Sequence, residues 1–213
     1  MAVLAVSSYL PVQGKEGDAE ALLKEALEMM KGFGARGHVS TLVLGGVQNT
    51  LSLVLEFESA ATYGGALDAA YAHRDAQAFV ERGRGAQALV PAGAVDYWEI
   101  PGFELPGDAI GSYGVVALGT YRVHHGKESE VHGWMREGKA ISEGLGAKVR
   151  MLRSGASDPH GVTATMAYYR NFTEWAKHWS TLAADPKWRA YGEKVASKPP
   201  HADFLSTTVM RVI

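Results

Sequence analysis

Apolar and polar positions fall along the chain in two similar series, each predicting strand, helix, hairpin, broken helix and strand. Val3 to Leu10 and Val115 to Val123 are apolar, β-branched and aromatic runs that stop at Gly14-Lys15-Glu16 and Gly126-Lys127-Glu128, so both read as first strands ending in a turn. From about Asp18 to Lys31, Ala21, Leu22, Ala26, Met29 and Met30 recur at helical spacing, and Gly32 and Gly34 supply a stop. Glu130 to Glu143 repeats this with Val131, Trp134, Met135 and Ile141 before Gly144 and Gly146. Hairpins are predicted where Val39 to Leu44 and Leu51 to Phe57 flank Gly45-Gly46-Val47-Gln48-Asn49, and where Val149 to Leu152 and Val162 to Tyr169 flank Ser157-Asp158-Pro159-His160-Gly161. Broken helical segments follow, Thr62 to Arg82 and Thr173 to Ala196, interrupted near His73-Arg74-Asp75 and at Ala184-Asp185-Pro186, where Pro186 suits the first position of a new helical turn. Ala94 to Ile100 and Leu205 to Val212 are the final strands.

The two series share one frame, 112 residues apart: Gly14-Lys15-Glu16 on Gly126-Lys127-Glu128, Tyr9 on Tyr121, Glu25 on Glu137, and Gly32-x-Gly34-Ala35 on Gly144-x-Gly146-Ala147. Further on, Ala78-Phe79-x-Glu81-Arg82 falls on Ala190-Tyr191-x-Glu193-Lys194. The expected fold is α+β, two tandem ferredoxin-like βαββαβ units spanning residues 1–100 and 113–213. Residues 101–112, which include Pro101, Gly102, Pro106, Gly107 and Gly111, are the expected linker. A sheet with helices on one face still has a second apolar face to bury, and the other unit offers the matching one, so the units should close into an intrachain barrel.

Composition narrows the function classes more by exclusion than by indication. With 46% hydrophobic and 21% charged residues the chain is that of an ordinary globular protein, and a net charge of −2 gives no basic footprint for nucleic acid or an anionic membrane surface. The absence of cysteine excludes disulfides, thiolate metal sites and a cysteine nucleophile, and fits a cytoplasmic location. Met1 to Val6 lacks a basic leader and reads as part of the first strand, and no run approaches the roughly 20 apolar residues of a spanning helix. Gly32-Phe33-Gly34 ends a helix where a dinucleotide loop would begin one, and there is no phosphate loop, so no nucleotide cofactor is expected. Ser7-Ser8 lies on a strand without a nucleophile elbow.

Several residues could carry chemistry. Tyr9 and Tyr121 sit at equivalent ends of the first strands, on faces otherwise lined by Ala5 and Ser7 or by Ala117 and Gly119; small neighbours leave room for a ligand that a phenol could orient or protonate, the alternative being a packed aromatic. His38 is expected to open the second strand, where the other unit has Arg150, and Glu56 lies on the third strand opposite Tyr168 in the repeat. Projecting from one hairpin, His38 and Glu56 could form an acid–base pair if they share a face; placement at the surface is the alternative. His124 and His125 end one strand and His132 lies on the next helix, but adjacent strand residues point to opposite sides, so no metal site is expected.

The element order, together with Trp175-x3-Trp179-x2-Leu182-Ala183-Ala184-Asp185-Pro186-x-Trp188-x2-Tyr191, resembles the dimeric α+β barrel superfamily, and the Ala-Asp-Pro-x-Trp stretch is similar to that of NIPSNAP-like proteins. The first unit has Ala72-His73-Arg74-Asp75-Ala76 instead, without Asp-Pro or Trp. The resemblance implies a cavity between sheet and helices, used by different relatives as cofactor-free oxygenases, isomerases, polyketide cyclases or haem-handling enzymes. It also implies that His73 and His178, in the broken helices, cover the cavity mouth, where an imidazole could act as a base or a haem ligand. The expected function is binding of a small apolar or aromatic carbonyl compound, with oxygenation, isomerisation or cyclisation that needs no cofactor, and one working cavity per chain. The alternatives are a non-catalytic scaffold whose cavity is filled by side chains, and a haem-binding barrel. Either a monomer with an internal pseudo-dimer or a homodimer is expected.

Overall fold

Glycine and cap residues set where each element begins and stops. Gly34 and Gly146 follow α1 (Glu16–Gly32) and α4 (Glu128–Gly144) with φ of 89° and 97°, a left-handed conformation that turns the chain into the next strand. Ser59 Oγ accepts the Thr62 N–H at the start of α2 (Ala60–Ala72), and Asn171 Oδ1 accepts the Glu174 N–H at the start of α5 (Phe172–Ala184). α3 (Arg74–Ala86) follows His73 with no side-chain cap. In the second half Asp185 Oδ1 accepts the N–H groups of Lys187 and Trp188 at 2.7 and 3.1 Å, with Pro186 opening α6 (Pro186–Ala196).

The computed structural model describes residues 1–105, 112–155 and 162–213. Linker residues 106–111 and the hairpin turn expected at 157–161 lie outside the described residues. The strands are β1 (Val3–Pro11), β2 (Arg36–Leu44), β3 (Leu51–Phe57), β4 (Leu89–Glu99), β5 (Val115–Val123), β6 (Lys148–Ser154), β7 (Val162–Tyr169) and β8 (Ala202–Val212). They close, all antiparallel, into one barrel in the order β1-β3-β2-β8-β5-β7-β6-β4. Each half contributes four neighbouring strands. The seams between halves are short: Ser40 to Leu44 of β2 against Val212 to Val209 of β8, and Tyr97 to Glu99 of β4 against Ser154 to Leu152 of β6. The fold is therefore the expected α+β architecture of two ferredoxin-like βαββαβ units in one chain.

Three strands start well before the sequence reading places them, and the other ends agree to within a residue or two. β2 starts at Arg36, so His38 lies within the strand rather than opening it. β4 and β8 start at Leu89 and Ala202, earlier than the expected Ala94 and Leu205, because Val90 to Ala94 and Asp203 to Thr207 are exposed and lack an apolar pattern. Along most of that stretch they pair through β1 or β5 only, an edge position where Pro91 removes no ladder bond.

Two kinds of core result. Outside the barrel, Leu23 and Leu27 of α1 pack on Val39, Leu53, Leu55 and Phe57, while Ala117, Val149 and Tyr169 meet Phe172 and Trp175 in the second half. Inside, Leu4, Val54, Tyr97, Val116, Leu152 and Met166 form a cluster drawn from both halves. The interior is not wholly apolar, however: Arg150, Glu56, Glu99 and His38 are buried with it.

Candidate functional site

The five sequence-predicted site residues separate into three places. His38 and Glu56 are in the barrel centre; Arg36 faces Glu56 and His38 faces Val54 across β2 and β3, so His38 and Glu56 do share a face, and both are buried rather than at the surface. They are not paired with each other. Glu56 Oε2 accepts from Arg150 Nη1 at 2.8 Å and its Oε1 lies 3.4 Å from Arg36 Nη2, while His38 Nε2 has no hydrogen-bond partner. Burial, and then the charge of Arg150, lower the His38 pKa to about 4, so the ring is neutral near pH 7. The cavity between His38, Glu56, Tyr113, Arg150 and Tyr168 is only about 10 Å³, room for about one water molecule and no substrate. Gly37 borders it, and a Cβ there would stand 2.0 Å from the Val54 carbonyl oxygen, so the position excludes a larger residue.

Tyr121 and His178 meet in a different cavity, of about 590 Å³, between the outer face of the second-half sheet and helices α4, α5 and α6. That is the size of a small-ligand site. Its floor is Ala117, Gly119, Thr165 and Ala167, and its walls are largely aromatic: Trp134, Tyr169, Trp179, Trp188, Tyr191 and Phe204. The small floor residues leave the room, as the spacing on β5 predicts. The Tyr121 ring lies edge-on to Phe204 with centroids 5.6 Å apart, and burial raises the phenol pKa against the opposing Thr165 hydroxyl, so it keeps its proton. Burial, with Tyr121 and Glu137 nearby, pushes Tyr191 up to about 12.

His178 is buried in the wall on α5, its Nε2 3.1 Å from Ser142 Oγ of α4 and its ring 5.5 Å from that of Tyr169. Burial lowers its pKa, the Leu145 backbone opposing. Tyr9, the first-half equivalent of Tyr121, instead packs at the margin of the cluster built from Leu23, Leu27 and Phe57. His73 is exposed at the α2–α3 junction, edge-on to Phe33, and is not among the cavity residues. Among the described residues no three His, Asp or Glu side chains group as a metal site; His124 turns to Asp203, 3.2 Å away.

No known protein family and no curated protein matches the sequence. Solved structures do match along essentially the whole chain. A proposed monooxygenase from Fusobacterium nucleatum superimposes with a TM-score of 0.60 at 12% identity, covering 99% of this chain and 92% of the other. An anthrone oxidase-like protein gives 0.59 at 12% identity, covering 100% and 91%. A heme-binding protein from Thermus thermophilus gives 0.53 at 14% identity, covering 100% and 90%. The fold is that of the dimeric α+β barrels. At these identities the likeness is one of architecture.

An α+β barrel that holds haem through a histidine needs an imidazole nitrogen free to face the iron. His178 presents none: Nε2 is engaged by Ser142, and Nδ1 is shut off from solvent with no hydrogen bond of good geometry. Neither His178 nor the exposed His73, the two histidines that the resemblance points to, therefore fits as a haem ligand.

Sequence reasoning missed a third cavity residue, His201, which lies between α6 and β8 with its Nε2 2.6 Å from Glu130 Oε2. It also missed Glu99 and read Arg150 only as the counterpart of His38. No helix among the described residues is long and apolar enough to cross a membrane.

Proposed function

We propose that this α+β barrel binds a small, largely apolar aromatic carbonyl compound in the second-half cavity and acts on it without metal or nucleotide, as an oxygenase, isomerase or cyclase. The observation that carries this reading is the cavity itself, about 590 Å³ with aromatic walls and polar groups that include Tyr121, Ser142, Thr165, His178 and His201 together with Lys139 and Lys198. A scaffold whose cavity is filled by side chains is disfavoured by the same volume. Units 1–100 and 113–213 are taken as the two halves, with the working site in the second. Fold neighbours that include a proposed monooxygenase and an anthrone oxidase-like protein support oxygenation of an activated carbon next to an aromatic ring.

Anthrone is the natural probe. Loss of a proton from its CH₂ carbon gives an enolate; electrons pass to dioxygen, a C–O bond forms, and loss of water from the hydroperoxide leaves anthraquinone, so anthrone plus dioxygen gives anthraquinone plus water. Because Trp134, Trp179 and Trp188 line the cavity, binding should quench tryptophan fluorescence in proportion to occupancy. A Cβ on Gly119 would stand 3.0 Å from Thr165 Oγ1 and 3.3 Å from the Tyr121 hydroxyl. Gly119→Val, which suits a strand, fills the floor and is expected to weaken anthrone binding by about tenfold or more, the loss of a few buried CH₂ contacts and the displaced phenol together. Equal affinity in the variant, or no saturable quenching by the wild type, would remove this cavity as the site.

A further inference from the structure

Two histidines border the cavity and only one is arranged to take up a proton. The His178 nitrogens are closed off by Ser142 and by burial. His201 is fixed on three sides: its Nε2 lies 2.6 Å from Glu130 Oε2, its ring stacks on Trp134 with centroids 4.9 Å apart and planes 15° apart, and its carbonyl accepts the His124 N–H at 2.8 Å. A carboxylate only accepts, so Nε2 carries the proton and Nδ1 keeps its lone pair. Glu130 stays ionised, its carboxyl pKa lowered first by the Lys127 hydrogen bond and further by His201. A carboxylate behind an imidazole holds the tautomer and stabilises the imidazolium that forms when the other nitrogen is protonated.

We propose that His201, oriented by Glu130 and Trp134, is the proton acceptor of the cavity for a ligand with an acidic C–H next to an aromatic ketone. This rests on the cavity reading above. The proton passes from the substrate carbon to Nδ1, and the electron pair stays on the substrate as an enolate. Tyr121, over Gly119 on the floor, is the protonated donor available to that enolate oxygen. Glu130 is a positioning residue; its carboxylate is 53% exposed and outside the cavity lining. The other charged groups of the cavity and of the elements around His201 include Lys127, which pairs with Glu130, Lys198 and Lys139 in the lining, the latter paired with Glu143, and His124 with Asp203.

The test separates proton removal from oxygenation. Anthrone is held with the full chain in deuterated buffer without oxygen, and exchange of its CH₂ hydrogens is followed by NMR alongside fluorescence binding. Wild type is expected to accelerate exchange. His201→Gln should lower the enzymatic rate by roughly 100-fold, the low end for loss of a general base, with anthrone affinity within about threefold. Glu130→Gln should lower the rate by about tenfold with anthrone affinity within about threefold, and Glu130→Asp should restore part of the rate, since Glu130 acts by orienting the imidazole. Exchange that survives in His201→Gln while binding is intact, or that is lost in His178→Gln instead, overturns the assignment and leaves the cavity reading standing. An unchanged exchange rate in Glu130→Gln overturns it independently of any folding defect at His201. Failure of wild type to bind anthrone removes both.

Discussion

Replacing Arg150 by methionine is expected to cost about 3–5 kcal/mol of folding stability, the usual penalty for removing one partner of a buried ion pair. Arg150 is 2% exposed and its Nη1 is 2.8 Å from Glu56 Oε2, a link between β6 of one half and β3 of the other. Glu99, also buried, draws on the same cation; burial raises its pKa, with Arg150 the first opposing influence. Methionine would leave Glu56 with only the half-exposed Arg36, 3.4 Å away, and Glu99 without its main counter-charge. The desolvation of the carboxylates, not the loss of attraction alone, sets the size of the effect. It follows that Arg150→Met combined with Glu56→Leu should recover the part of the loss that comes from Glu56, while Glu99 stays without its main counter-charge. Urea unfolding of the two single variants and the double variant measures the coupling directly. A double variant as unstable as the sum of the singles would show that the pair does not act as a unit.

The same centre shows what a one-dimensional pattern conveys and what it does not. Elements were legible from neighbours a few residues away, as with the turn at Asp185-Pro186, but the face was not: α1 buries Ala19, Leu23 and Leu27, with Leu22, Ala26 and Met30 of the expected stripe at the margin of that core and Ala21 exposed. Barrel closure was legible too, since two sheets with unpartnered faces have few ways to bury them. Arg150 was not, because Val149 to Leu152 are buried on both sides of the strand and no alternation marks which one faces the barrel axis. Its partner Glu56 is 94 positions away, in the other half. His201 escaped for a related reason. It follows Pro199-Pro200 with no motif around it, and its meaning comes from Glu130 and Trp134 on a helix that folding brings beside it. The place of Tyr121 in the cavity lining was legible because its signal is local: small residues at alternate positions on one strand face. Tyr9 shared that local pattern and met a packed core instead, so pattern alone did not distinguish a cavity from its filled counterpart.

Stability should also fall on acidification through His38. Its pKa is lowered from an ordinary 6.5 to about 4, by burial first and by Arg150 second. The folded-state value is depressed, so the neutral ring is accepted by both states above pH 6.5, while between there and about pH 4 the unfolded chain binds a proton that the folded chain refuses. Stability from this residue is therefore intact near neutrality and is lost progressively down to about pH 4. Integrated over the window, that difference is about 3 kcal/mol. Glu99 works in the opposite direction, since its raised carboxyl pKa favours the folded state as pH falls, and His178, lowered by burial, adds to the loss. The comparison that isolates His38 is therefore the pH slope of the wild type against that of His38→Gln, with urea unfolding at pH 7, 5.5 and 4.5. The variant should lie closer to the wild type at the low end than at neutrality, its curve flatter by the His38 contribution. Parallel curves would mean that the imidazole reaches water or a counter-charge in the folded chain, and that the barrel centre is wetter than its 10 Å³ cavity allows.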